Sequence, residues 1–439
     1  MKVDQGVADY SKISIILNDT YGKYKRNKSF LLQFLTGQFL FQFLNLLNGF
    51  FLLRWLPIAE QAKFSVAFSI QTLIITLSDL GFTSSIIALT GSRINDKEVI
   101  GSYVQSAKRL RNYFFAFSCL ITLLLLPYII KKQAWGYGEL FIILVPVLLS
   151  VFWQADCSLY DSTLVMHKKM KELYKPQIAI SGGKLLTNFI LQLSQSIGAL
   201  TTLIVNAIAL FFTSLFFKKQ AQPFIKICAE TYPDQQKEMF QYIKPILPSL
   251  VFNALYGQIQ IFLISFFGKT ANIAEVAALG RLAQLFIFLG SFNAIVISPV
   301  IAKKTHLETR KLYILILGGA LFVAGSIYSL SILAPGLFLF LLGPKYFHLE
   351  NILSMTILSS CVTYVGGVIW TMNSARKWIF WWSSVLYIVS ILCCQIIAIM
   401  YFDLSKTSGV ILLSLLTAII ILMVQISISV TGFIKHKEG

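Results

Sequence analysis

Long apolar runs alternate along the chain with short polar segments rich in Lys and Arg. A membrane-spanning helix needs ~20 mostly apolar residues. Twelve runs meet that length or approach it: 30–56, 64–90, 113–130, 140–164, 178–193, 197–217, 246–267, 272–301, 312–334, 350–372, 378–401 and 408–433. The pattern predicts an all-α integral membrane protein of about twelve transmembrane helices in two pseudo-symmetric six-helix bundles. The expected divisions are an N-terminal tail (1–28), a first lobe (29–217), an inter-lobe linker (218–245), a second lobe (246–434) and a short C-terminal tail (435–439).

Composition agrees with this picture. Of 439 residues, 56% are hydrophobic and 13% charged, half the charge of an ordinary soluble domain. The formal net charge of +18 suggests nucleic acid on a soluble protein. Here 28 of the 37 Lys and Arg fall in the tails and in alternate loops, against seven in the other loops and helix ends. That asymmetry predicts a multi-pass bacterial inner-membrane protein with both termini cytoplasmic, and no nucleic-acid partner. The four histidines and six cysteines show no metal-ligand spacing, and no GxxxxGK[ST] phosphate loop occurs. No metal or cofactor is expected. The short outer loops argue against an enzyme.

Polar residues inside the runs carry the candidate chemistry. Gln38, Gln42 and Asn45 follow i, i+4, i+7 spacing and share one face of the first helix. Asn253, Tyr256 and Gln260 form a similar stripe on the seventh. Such stripes either glue helices together or line a wet cavity. Asp79, Asp156, Lys184 and Arg281 are ionisable groups placed within spans, where charge is costly without a partner or a task. Asp79 and Asp156 suit ion coupling or ion pairing, for example with Lys184. Arg281 and Lys184 suit an anionic ligand. At an offset of 215 residues, Ile58-Ala59-Glu60-Gln61-Ala62 matches Ile273-Ala274-Glu275-Val276-Ala277, and Gln38 and Asn45 meet Asn253 and Gln260. The halves read as a parallel repeat around a central cavity.

Leu77-Ser78-Asp79-Leu80-Gly81-Phe82 resembles the "DLG" signature of Wzx-type polysaccharide flippases. Leu341-Leu342-Gly343-Pro344-Lys345-Tyr346 resembles the segment before their tenth helix, and Ile273 to Leu285 their eighth-helix entry. Those flippases belong to the multidrug/oligosaccharidyl-lipid/polysaccharide (MOP) exporter superfamily. The resemblance implies two six-helix lobes, alternating access and an undecaprenyl-pyrophosphate-linked oligosaccharide as cargo, moved from inner to outer leaflet for surface polysaccharide such as O-antigen. Membrane lipid and polysaccharide polymerase machinery follow as expected partners. The chain departs from the usual pattern in having few cations in its first two helices. A multidrug exporter of the same superfamily is the alternative, and a membrane sugar polymerase or ligase a more distant one.

Overall fold

The computed structural model describes residues 33–226, 232–302, 306–378 and 380–435. The proposed tail 1–28, His436 and Cys228 lie outside the described residues. Among those described, the chain is helical and contains no strand. The first half holds α1 (33–55), α2 (Ile58–Asp79), α3 (Phe82–Thr90), α4 (Lys97–Gln133), α5 (Tyr137–Met166), α6 (Met170–Leu193) and α7 (Ala199–Ala221). A short amphipathic α8 (Pro233–Ile243) follows. The second half holds α9 (Leu247–Tyr256), α10 (Ile259–Phe267), α11 (Thr270–Ala302), α12 (His306–Leu333), α13 (Pro335–Leu342), α14 (Glu350–Ala375), α15 (Trp381–Tyr401) and α16 (Thr407–Lys435).

Among the described residues, eight helices are long and apolar enough to cross a membrane, or nine if α9 and α10, bent by 48°, form one span. With α1, α6 and α11, also of spanning length, the architecture is an all-α membrane protein of about twelve helices. Amides on α1, and amides with a lysine on α6, lower the hydropathy of both helices.

Two apolar cores form. One draws on α2, α4, α5 and α7, the other on α11, α14 and α16. α1 serves both, giving Leu52 to the first core, with Leu56 just beyond its end, and Phe50 and Leu53 to the second.

The same side-chain devices recur in the two halves. Glu60 on α2 accepts the Ala199 N–H at 2.8 Å, at the first turn of α7. Glu275 on α11 accepts from the Thr407 hydroxyl, at the first turn of α16. Carboxylates belong at helix N-termini, where N–H groups lack intrahelical partners. Likewise the Tyr174 hydroxyl donates to Gln38 at 3.0 Å, and the Tyr387 hydroxyl donates to Asn253 at 3.1 Å.

At the end of the bundle opposite the basic loops, each half caps a helix of the other. Lys345 Nζ donates to the Arg54 and Leu56 carbonyls (2.9 and 2.8 Å), which end α1. Gln133, at the end of α4, donates from Nε2 to the Ser265 and Gly268 carbonyls (2.8 and 2.9 Å), which end α10. Its Oε1 accepts from Thr270 at 3.0 Å. Arg54 lies over the Phe340 ring at 4.5 Å and donates to the Phe340 carbonyl, so it packs against the other half and does not reach freely toward water.

The DLG motif is a helix break. Leu80 (φ 37°) and Gly81 (φ 86°) both take left-handed conformations, which end α2 and start α3. Asp79 accepts from the Thr83 N–H and hydroxyl at 3.3 and 2.5 Å, securing the new helix. The segment 91–112, between the second and third apolar runs, is mostly the first turns of α4, where Arg111 is buried against Asp79 and half-exposed Lys108 pairs with Asp156.

Replacing Gln133 with Leu leaves two helix-end carbonyls and the Thr270 hydroxyl without their partner. The expected cost is about 2 kcal/mol. A melting temperature lowered by a few degrees in detergent checks this, and an unchanged melt contradicts it.

Candidate functional site

The α1, α2, α5, α6 and α7 helices surround a cavity of about 780 Å³, and α11 closes one wall with Arg281, Gln284 and Leu285. Its size suits a drug-sized ligand or the head group of a larger amphiphile. Each helix presents a stripe at helical spacing: Gln42, Asn45 and Gly49 on α1; Phe64, Phe68 and Gln71 on α2; Gln154, Ser158 and Asp161 on α5; Gln177, Ser181 and Lys184 on α6; Thr202, Asn206 and Thr213 on α7. Amides dominate the polar lining. Phe39 and Phe43, stacked at 5.9 Å and nearly half exposed, stand at its margin.

Lys184 Nζ donates to Asn206 Oδ1 at 2.9 Å, and Asn206 Nδ2 donates to Gln71 Oε1 at 3.5 Å. Arg281 Nη1 donates to Gln284 Oε1 at 3.2 Å, and its guanidinium sits 5.6 Å from the Phe68 ring centre. Gly49 lets it approach α1: a Cβ there would lie 3.3 Å from Arg281 Nη1. Among the described residues, neither cation has a carboxylate within ion-pair distance. Neutral amides hold both in place and leave donors for a ligand.

The expected pairing of Lys184 with Asp79 or Asp156 is therefore corrected. Asp156 binds Lys108 at 2.9 Å, and Asp79 faces Arg111 Nε at 3.5 Å. Arg111 is 2% exposed and also donates to the Ala155 carbonyl at 2.6 Å. Both carboxylates are occupied by cations of α4, and neither lines the cavity. Glu275, the one acidic group near Arg281 in sequence, faces His348 at 3.0 Å instead.

Of the two amide stripes, the structure brings only part of one to the cavity. Gln42 and Asn45 line it. Gln38 is taken by Tyr174, where Gly37 allows the Tyr174 ring to approach closely. The second stripe fails for a geometric reason. The chain bends at Gly257 and Gln258, so Asn253 and Tyr256 end one helix and Gln260 begins the next. Asn253 accepts from Tyr387, Tyr256 stacks on Phe252 at 6.1 Å, and Gln260 donates to Ser414 at 2.9 Å. Asn253 and Gln260 serve as links between helices, Tyr256 stacks within its own helix, and the cavity lies within the first half, walled by α11.

Sequence reading passed over Asp161, Gln177, Asn206 and Gln71. The signal was available: Gln154-Ser158-Asp161 and Gln177-Ser181-Lys184 have the same i, i+4, i+7 spacing as the stripe on α1.

No protein-family model matches the chain, and no curated protein matches it by sequence. Solved structures do match its fold. An inward-facing multidrug resistance MATE family transporter of the MOP superfamily superposes with TM-score 0.66 at 14% identity, covering 90% of this chain and 96% of that one. The lipid II flippase MurJ, in an inward closed conformation, gives 0.65 at 17% identity, covering 92% and 89%. An outward-facing MATE family transporter of the MOP superfamily gives 0.53 at 13% identity, covering 93% and 96%. At these identities the likeness is one of fold.

The geometry predicts which positions water reaches. In a cysteine-free background, Ser158→Cys and Thr213→Cys should react with a membrane-impermeant methanethiosulfonate reagent. Gln260→Cys should not. Labelling of Gln260→Cys at the same rate would contradict the placement of the cavity.

Proposed function

We propose that this protein is a flippase carrying a lipid-linked anion, most specifically a polyprenyl-diphosphate-linked oligosaccharide, from the inner to the outer leaflet by alternating access. The observation that carries this reading is the pair of cations, Lys184 and Arg281, facing one polar cavity without carboxylate partners. A diphosphate head cannot cross hydrocarbon unaided. Arg offers it a planar fork and Lys a point charge. The surrounding amides suit sugar hydroxyls, and the lipid tail stays among the helices.

In this reading, residues 29–217 and 246–434 are two lobes that rock against each other, the first holding the cavity and the second walling it through Arg281. The reciprocal caps from Lys345 and Gln133 hold one end closed. Moving one charge through 100 mV is worth ~2.3 kcal/mol, so the membrane potential can supply direction without ATP. Asp79 and Asp156, bound to α4 cations, stabilise the first half. A cationic-drug exporter is the second reading, and Asp161 in the cavity is the feature that favours it. Against it, Lys184 and Arg281 repel such a cargo.

Arg281→Ala should abolish complementation of a strain lacking its polysaccharide flippase while protein levels in the membrane stay normal. Arg281→Lys should restore part of it. Full activity of Arg281→Ala, or resistance to cationic drugs conferred by the native protein, would overturn this proposal.

A further inference from the structure

The cavity holds a second kind of polar group, at a different depth from the cations. Asp161 projects into it from α5, and its Oδ1 is buried without a hydrogen-bond partner. Gln177, on α6, has its Oε1 in the same state. Both orphans are acceptors. An ionised carboxylate has only acceptor capacity, and a buried acceptor left unmatched costs about 1–3 kcal/mol. The pair is thus set for a ligand that arrives with donors.

Position separates this pair from the phosphate end. α5 ends at Met166 and α6 begins at Met170, so the two form a hairpin. Asp161 stands five residues before that turn and Lys184 fourteen residues after it, a difference of ~13 Å along the helices at 1.5 Å per residue. Arg281 lies near the Lys184 depth, because it touches Gly49 on α1 whereas the Tyr174 ring, close to the turn, meets Gly37. The cavity is therefore electrically two-ended, with cations at the deep end and a carboxylate toward the basic loops. A diphosphate alone is too short to touch both. A diphosphate bearing one or two sugar rings spans the distance.

Building on the flippase reading, we propose that Asp161, supported by Gln177, is the glycan-selecting residue of this cavity: it accepts hydrogen bonds from hydroxyl groups of the first sugars while Lys184 and Arg281 hold the diphosphate. Asp161 reads whether the lipid carries its sugar, and the cations read only the phosphates. Charge-assisted bonds of this kind give the carboxylate more discrimination than the neutral amides around it.

The test uses the full-length protein in nanodiscs and two probes, a short-chain polyprenyl diphosphate and the same lipid bearing one N-acetylglucosamine. The native protein should bind the sugar-bearing probe about 10-fold more tightly. Asp161→Asn should reduce that preference to about 2-fold or less without weakening binding of the sugar-free probe, which also reports that the variant is folded. Gln177→Met should give an intermediate loss. Lys184→Ala should weaken both probes alike. A preference that survives in Asp161→Asn, or equal weakening of both probes by it, overturns the assignment. If neither probe binds the native protein, the flippase reading falls first and this assignment with it.

Discussion

Within a bilayer no water is present to satisfy a helix end or a charged side chain, so each must find its partner in the protein. This structure meets that demand largely by exchange between its halves. The carbonyls closing α1 receive Lys345, and those closing α10 receive Gln133. Buried Arg111 finds Asp79 and a main-chain carbonyl on α5. These bonds hold the helices in register at one end and along the first half. Asp79 is thereby taken by Arg111, as Asp156 is by Lys108, leaving Lys184 and Arg281 to be held by amides.

That leftover charge gives the cavity its character. A cation solvated only by amides remains free to attract an anion, because no carboxylate has neutralised it. The two cations come from opposite halves of the chain, Lys184 from α6 and Arg281 from α11. A ligand bound to both links the halves. Any rearrangement of one half against the other changes the distance between its contacts, which is the physical requirement for coupling a bound head group to a change of access.

The two halves share a framework, and the cavity described above lies in the first. Glu60 and Glu275 cap equivalent helices, and Gln38–Tyr174 has its counterpart in Asn253–Tyr387. In the second half several polar groups of the span interiors pair with one another: Ser359 with Ser414, Asn373 with Gln425, Tyr313 with Ser429. In the first half α5, α6 and α7 turn amides, Asp161 and Lys184 inward together, and the space between them stays open. The same framework thus encloses a polar pocket in the first half.

Apolar run lengths were enough to determine an all-α membrane architecture of about twelve helices, because the thickness of hydrocarbon fixes how long each helix must be. The i, i+4, i+7 stripes announced that α1 has a polar face, and the same rule applied to α5 and α6 marks Asp161 and Gln177. Sequence alone did not show which stripe meets water. Asp79 and Asp156 read as groups for ion coupling or for pairing with Lys184 until the first turns of α4 brought Arg111 and Lys108 against them. Asn253, Tyr256 and Gln260 read as one stripe until the bend at Gly257 divided it. Spacing along a helix defines a face, but whether that face pairs, packs or stays open depends on what a distant part of the chain places opposite it, and only the tertiary structure decided that.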